Sequence, residues 1–154
     1  MFHSRLGCSS ISFRHQDLGA SLRTMKELGF EEIDLGALPG VCDHVPYELD
    51  AAAVAAVSAE VNASGLRVRS VNGDSGDLNR VLDGDGQAAR GRHLDALLTL
   101  TAKTGAKALV LPCGALDHTP VRSVEEDLDL IAAQLIAAGQ RAAEFGVELW
   151  TESL

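Results

Sequence analysis

Apolar residues recur along this chain in two alternating rhythms. Over long stretches they fall three to four positions apart, and over short ones they cluster or alternate, so helices exchange with strands. Residues 6–13 mix apolar and small side chains and read as an opening strand that runs into the polar loop Arg14-His15-Gln16-Asp17. Over 18–28, Leu18, Leu22, Met25 and Leu28 share one helical face, and Gly29 stops it. Residues 30–36 give a second strand, and 37–47, with Pro39, Gly40 and Pro46, a loop. The alanine-rich 50–63 is a strong helix former with Asp50 as its cap and Val54, Val57 and Val61 on one face.

Gly65 ends that helix and 66–71 form the third strand. The Asn72-Gly73 that follows is a hairpin signal, yet 78–85 offers no partner strand, so a turn leading back to a helix is expected. Residues 87–104 supply that helix, 106–111 the fourth strand, and Pro112-Cys113-Gly114 its exit. Ser123-Val124-Glu125-Glu126 is a capping box opening a helix that ends near Gly146, and a last strand carries Trp150 and Glu152. The strand-preceding glycines Gly29, Gly65, Gly105 and Gly146 lie 36, 40 and 41 residues apart. Repetition of helix, glycine and strand predicts parallel βαβ units. An open doubly wound sheet and part of a closed eight-stranded barrel both satisfy it. No GxGxxG follows the first strand, which removes the main sequence support for a dinucleotide fold. A whole barrel needs about 250 residues, and 154 residues with five strands are little more than half of one.

Charge narrows the partners. Thirteen basic residues against 22 acidic ones give a formal net of -9, which disfavours nucleic acid and anionic membranes. No apolar run approaches the roughly 18 residues of a membrane span, and the N-terminus lacks a signal-like segment, so a cytoplasmic location is expected. Cys8, Cys42 and Cys113 make no CxxC pair and are expected to behave as small buried residues.

In a parallel arrangement the C-terminal strand ends share one rim, where barrel active sites form. That rim collects Ser10 or Ser12, Asp34, Asn72, Cys113 and Glu152. Loop histidines His15, His44 and His118 are candidate substrate contacts or proton carriers, set against ordinary solvated loop residues. Asn72 and Asp74, flanking Gly73, are candidate substrate contacts, set against simple turn formation. His93 falls within a helix and is expected to be structural or solvated. Glu152 reads either as a solvated strand end or as a working carboxylate.

The segments Leu6-Gly7-Cys8-Ser9-Ser10-Ile11-Ser12-Phe13, Gly29-Phe30-Glu31-Glu32-Ile33-Asp34-Leu35, Thr104-Gly105-Ala106 and Gly146-Val147-Glu148-Leu149-Trp150-Thr151-Glu152 occur in an order and spacing that cover nearly the whole chain. In this the chain resembles the N-terminal part of the xylose isomerase-like barrel superfamily of sugar phosphate isomerases and epimerases. The resemblance implies an α/β fold of parallel (β/α) units from the N-terminal half of a TIM-type (β/α)8 barrel, truncated after its fifth strand. It implies that Glu152, at the end of that strand, is a metal ligand and catalytic residue. The divalent metal (manganese, magnesium, cobalt or zinc) is held only if strands six to eight supply further ligands. The implied substrate is a small sugar-like molecule, and the implied chemistry is proton transfer beside a metal-polarised carbonyl or hydroxyl, with the 154 residues alone inactive. Two other functions remain: a non-catalytic partial barrel that binds a partner or self-associates through its uncompleted sheet, and a relative of the zinc-dependent AP endonucleases. The latter place histidines where this chain has Asn72 and Cys113, and the absence of a basic groove also counts against them.

Overall fold

A computed structural model describes residues 3, 6–113 and 120–152 of the chain. The main elements are β1 (Cys8–Ser9), α1 (Leu18–Glu27), β2 (Glu32–Ala37), α2 (Ala51–Ser64), β3 (Arg67–Gly73), α3 (Gly84–Lys103), β4 (Ala108–Pro112), α4 (Val124–Glu144) and β5 (Glu148–Glu152). All neighbouring strands are parallel, and the sheet order is β1-β2-β3-β4-β5. A doubly wound sheet reverses its strand order partway. This one never does, so the (β/α) barrel alternative holds.

The helix starts are chemically marked. Asp17, Asp50, Asp83 and Ser123 each accept a hydrogen bond from a backbone N–H in the first turn of the helix that follows. Asp83 explains why α3 begins at Gly84, three residues before the expected start, despite two glycines in its first turn. At the other ends, Gly29, Gly65, Gly105 and Gly146 all take left-handed φ values, from 69° to 91°, which lets the chain leave each helix and enter the next strand.

Two expectations shift. The opening strand is confined to Cys8–Ser9, and Ser10–Phe13 is a 3-10 helix, because the Ser9 hydroxyl caps it by accepting from Ile11 N. Asn72 and Gly73 belong to β3 rather than to a turn, paired with Gly36 and Ala37 of β2. Their ladder bonds outweigh the local turn preference.

One face of the sheet packs against the helices. Ile33, Leu35, Val68, Val71, Leu109 and Leu111 from the strands meet Leu22, Met25, Val61, Leu97 and Leu98 from the helices. Strand alternation then puts Asp34, Ser70, Asn72, Val110, Trp150 and Glu152 on the opposite, concave face. The β2–β3 ladder skips a residue: Ile33 pairs with Val68 and Asp34 with Ser70, leaving Arg69 as the extra residue of a bulge. Arg69 and Ser70 consequently both line the concave face. Among the described residues, no helix is long and apolar enough to cross a membrane.

Candidate functional site

Glu152 is the last residue of β5 and pairs with Pro112, the last of β4. It is exposed, and its Oε2 accepts a hydrogen bond from Asn72 Nδ2 at 3.3 Å. The two lie on strands separated by β4, so the amide reaches across the concave face to a carboxylate at the rim. Asn72 thus touches Glu152, and both stand at the strand ends where a barrel assembles its chemistry.

Deeper on the same face lies Asp34, the third residue of β2 rather than a rim residue. Its Oδ1 accepts from Ser70 Oγ at 2.6 Å and its Oδ2 from Ser9 Oγ at 3.2 Å, so three strands meet on one carboxylate. These groups, with Glu32 and Arg69, wall an open cavity of about 530 Å³. Burial pushes the Asp34 carboxyl above its ordinary value; the two serine hydroxyls pull it back and the Glu152 charge adds to the rise. At the far edge of the face Trp150 Nε1 donates to Glu148 Oε2 at 2.8 Å, and the Arg69 guanidinium lies 5.5 Å from the Trp150 ring. The Trp150 hydrogen bond, followed by that of Lys107, holds the Glu148 carboxyl below its ordinary value.

His44 sits beneath the exits of β1 and β2, only 6% exposed. Its Nε2 is 3.1 Å from the Gln16 carbonyl and 3.0 Å from Ser21 Oγ. A carbonyl can only accept, so Nε2 carries a proton. Nδ1 is 3.1 Å from Ser10 Oγ and 3.2 Å from Cys42 Sγ. Ser10 Oγ in turn accepts from Gly36 N at 2.8 Å, which leaves its hydroxyl proton free to point toward Nδ1. His44 thereby ties the 3-10 helix, α1 and the β2 exit together from below. Cys42 is buried as expected of it, and burial pushes its thiol up.

Of the other candidates, His15 is exposed on the β1–α1 loop. Asp74 follows β3, and its Oδ1 accepts from Gly76 N at 2.7 Å while its carbonyl accepts from His93 Nε2 at 3.1 Å. His118 lies outside the described residues. Three groups escaped the sequence reading: the Ser9–Ser70 clasp on Asp34, the Ser10–Ser21 clasp on His44, and the Tyr47–His93 ring pair, 4.9 Å between centroids.

Among the described residues, no group of three or more histidine, cysteine, aspartate or glutamate side chains could hold a metal ion. Glu152 therefore offers one carboxylate oxygen beyond the one Asn72 engages, which fits a single corner of a coordination sphere and no more.

No protein-family model and no curated protein sequence matches the chain. Solved structures do. The apo form of 3-keto-D-glucoside 4-epimerase YcjR from E. coli superposes with a TM-score of 0.70 at 20% identity, over 96% of this chain and 55% of that one. The IOLI protein with a bound zinc atom gives 0.71 at 15% identity, over 96% and 51%. A xylose isomerase-like TIM-barrel protein from Mycobacterium smegmatis in complex with magnesium gives 0.67 at 15% identity, over 98% and 56%. The chain spans about half the length of these structures.

Proposed function

We propose that this chain, which has five strands and four helices of a xylose isomerase-like TIM-barrel fold, provides a metal ligand and part of the substrate wall of a metal-dependent isomerase or epimerase for small sugar-like molecules. The observation that carries the reading is the Asn72–Glu152 hydrogen bond at the strand-end rim. Glu152 is the ligand, and Asn72 fixes the carboxylate by engaging Oε2. Among the described residues one carboxylate is not a metal site, so Glu152 acts only together with further ligands, and a protein without them is inactive. A bound divalent ion, whether manganese, magnesium, cobalt or zinc, supplies Lewis acidity toward a carbonyl or adjacent hydroxyls. The similar structures include an epimerase, a zinc-bound protein and a magnesium complex, which supports this chemistry by likeness of fold. His15, Asn72 and Asp74, with His118 outside the described residues, are the substrate contacts of this proposal, and His44 serves it by holding the segments that carry Ser10 and Ser21.

In a complete barrel containing this sequence, Glu152→Gln lowers manganese affinity at least about tenfold, read by calorimetry with the metal alone. It also suppresses exchange of a sugar C–H proton with D2O. Unchanged affinity and unchanged exchange refute the assignment.

A second function rests on a separate observation. Val124, Leu128 and Ile136 lie at helical spacing on α4 and are largely exposed, Leu128 at 58% and Ile136 at 63%. An apolar stripe of this kind favours association of the 154-residue chain with itself.

A further inference from the structure

A second cleft opens on the same rim, on the helix side of the Asn72–Glu152 pair. It encloses about 350 Å³ between the β2–α2 loop, the β3–α3 loop and the first turns of α3, within the ~300–1,000 Å³ of small-molecule sites. Asp74 is part of its wall and lies two residues beyond Asn72, a reach of about 7 Å at full extension.

The chemistry of the wall is mixed in a specific way. Tyr47, 64% exposed, forms one side, and its ring leans on His93 at 4.9 Å and 36°. His93 is itself fixed by its hydrogen bond to the Asp74 carbonyl, so the aromatic pair is held in place before any ligand arrives. Arg80 and Arg90 also line the cleft. Arg80 Nε pairs with Asp77 Oδ2 at 2.7 Å, and Arg90 Nη2 donates to the Asp77 carbonyl at 2.7 Å. Among the described residues these are the hydrogen bonds the two guanidinium groups make; Arg90 Nε is buried, whereas the Arg80 side chain is 57% exposed to the cleft's solvent. The exposed Arg80 guanidinium therefore stands beside the Asp77 carboxylate, and the two arginines and two aspartates of the wall balance in charge.

An aromatic face with both donors and acceptors and no net charge suits a neutral polyhydroxylated ring better than a phosphate, which would meet two carboxylates along with the guanidinium groups. We propose that this cleft is a sugar subsite, and that the substrate of the rim site is a glycoside or disaccharide whose second ring lies against Tyr47 and hydrogen-bonds Arg80, Arg90 and Asp74. This names the substrate class of the function proposed above and rests on it for the reacting ring. Binding at the cleft itself does not depend on the metal.

Titration of isotope-labelled protein with cellobiose, D-glucose and inorganic phosphate, followed by backbone amide shifts, tests it. Cellobiose should shift the amides of Tyr47, His93 and Gly86 in wild type and in Glu152→Gln alike. D-glucose should bind at least about tenfold more weakly, and Tyr47→Ala should weaken cellobiose by a similar factor, on the scale of one lost aromatic contact. Phosphate shifting these amides more tightly than cellobiose, or cellobiose shifts that survive Tyr47→Ala, overturns the subsite. Retained metal affinity in Glu152→Gln, by contrast, overturns the metal-site assignment and leaves the cleft result standing.

Discussion

Replacing Gly36 by alanine probes the packing that joins the β1 and β2 exits. A Cβ built at Gly36 would sit 2.8 Å from Ile11 Cγ1, 2.9 Å from Cys42 Sγ and 3.3 Å from Cys42 Cβ. Neither neighbour yields easily: Cys42 is 1% exposed and lies against His44, and Ile11 belongs to the capped 3-10 helix. Overpacking of this kind costs about 1–3 kcal/mol. Gly36 has no positive φ, so alanine also narrows the unfolded ensemble and returns about 0.4–1 kcal/mol. The net loss centres on about 1.3 kcal/mol, or a fall in Tm of about 3–5 °C for a protein of this size. Urea and thermal unfolding of Gly36→Ala, Cys42→Ala and the double variant measure it as a cycle. Removing Cys42 Sγ relieves one of the two closest contacts, so the double variant should be more stable than the sum of the single losses. A Gly36→Ala protein as stable as wild type, or strict additivity, refutes the packing argument.

Two further predictions concern the concave face and α4. Because Asp34 is raised in the folded protein, its contribution to stability is fully present below the unfolded value near 3.8 and is lost as pH rises through the folded one. Asp34→Asn removes that loss, so its urea midpoint should gain on wild type between pH 3.5 and pH 7; a constant difference across that range refutes the assigned direction. For α4, Leu128→Gln with Ile136→Gln should shift the 154-residue chain toward monomer in light scattering. Unchanged mass in a chain that associates would remove the stripe as the contact.

The alternation of elements was legible because its signals are local. Aspartate and serine caps, glycines after helices and apolar spacing all act within a few residues, and they placed four helices and five strands in order. Glu152 and Asn72 were legible as rim residues for a related reason, since parallel strands bring their C-terminal ends to one side. Their hydrogen bond was not, because it spans 80 positions. His44 shows the limit most clearly. A histidine between Asp43 and Val45 in a proline-bounded loop reads as solvated, and nothing nearby announces that Ser10 and Ser21, 34 and 23 residues away, close around both ring nitrogens. Asp34 is similar: its serine partners are 25 and 36 residues distant, and its depth below the rim follows from the register of three strands. The short β1 was misjudged because Ser9 and Ser10 turn their hydroxyls to capping and to Gly36 N, a choice composition cannot announce.

The bulge at Arg69 gives β3 a spare residue in the evolutionary sense. Loss of the Arg69 codon would leave Val68, Ser70, Val71 and Asn72 on the faces they now occupy, with Ser70 still beside Asp34. Loss of the Val71 codon would instead turn the end of the strand over, carrying Asn72 to the helix side and away from Glu152. Position 69 is thus where this strand can shed a residue without rewriting the rim, and the arginine it admits is held over Trp150 at no cost to the register.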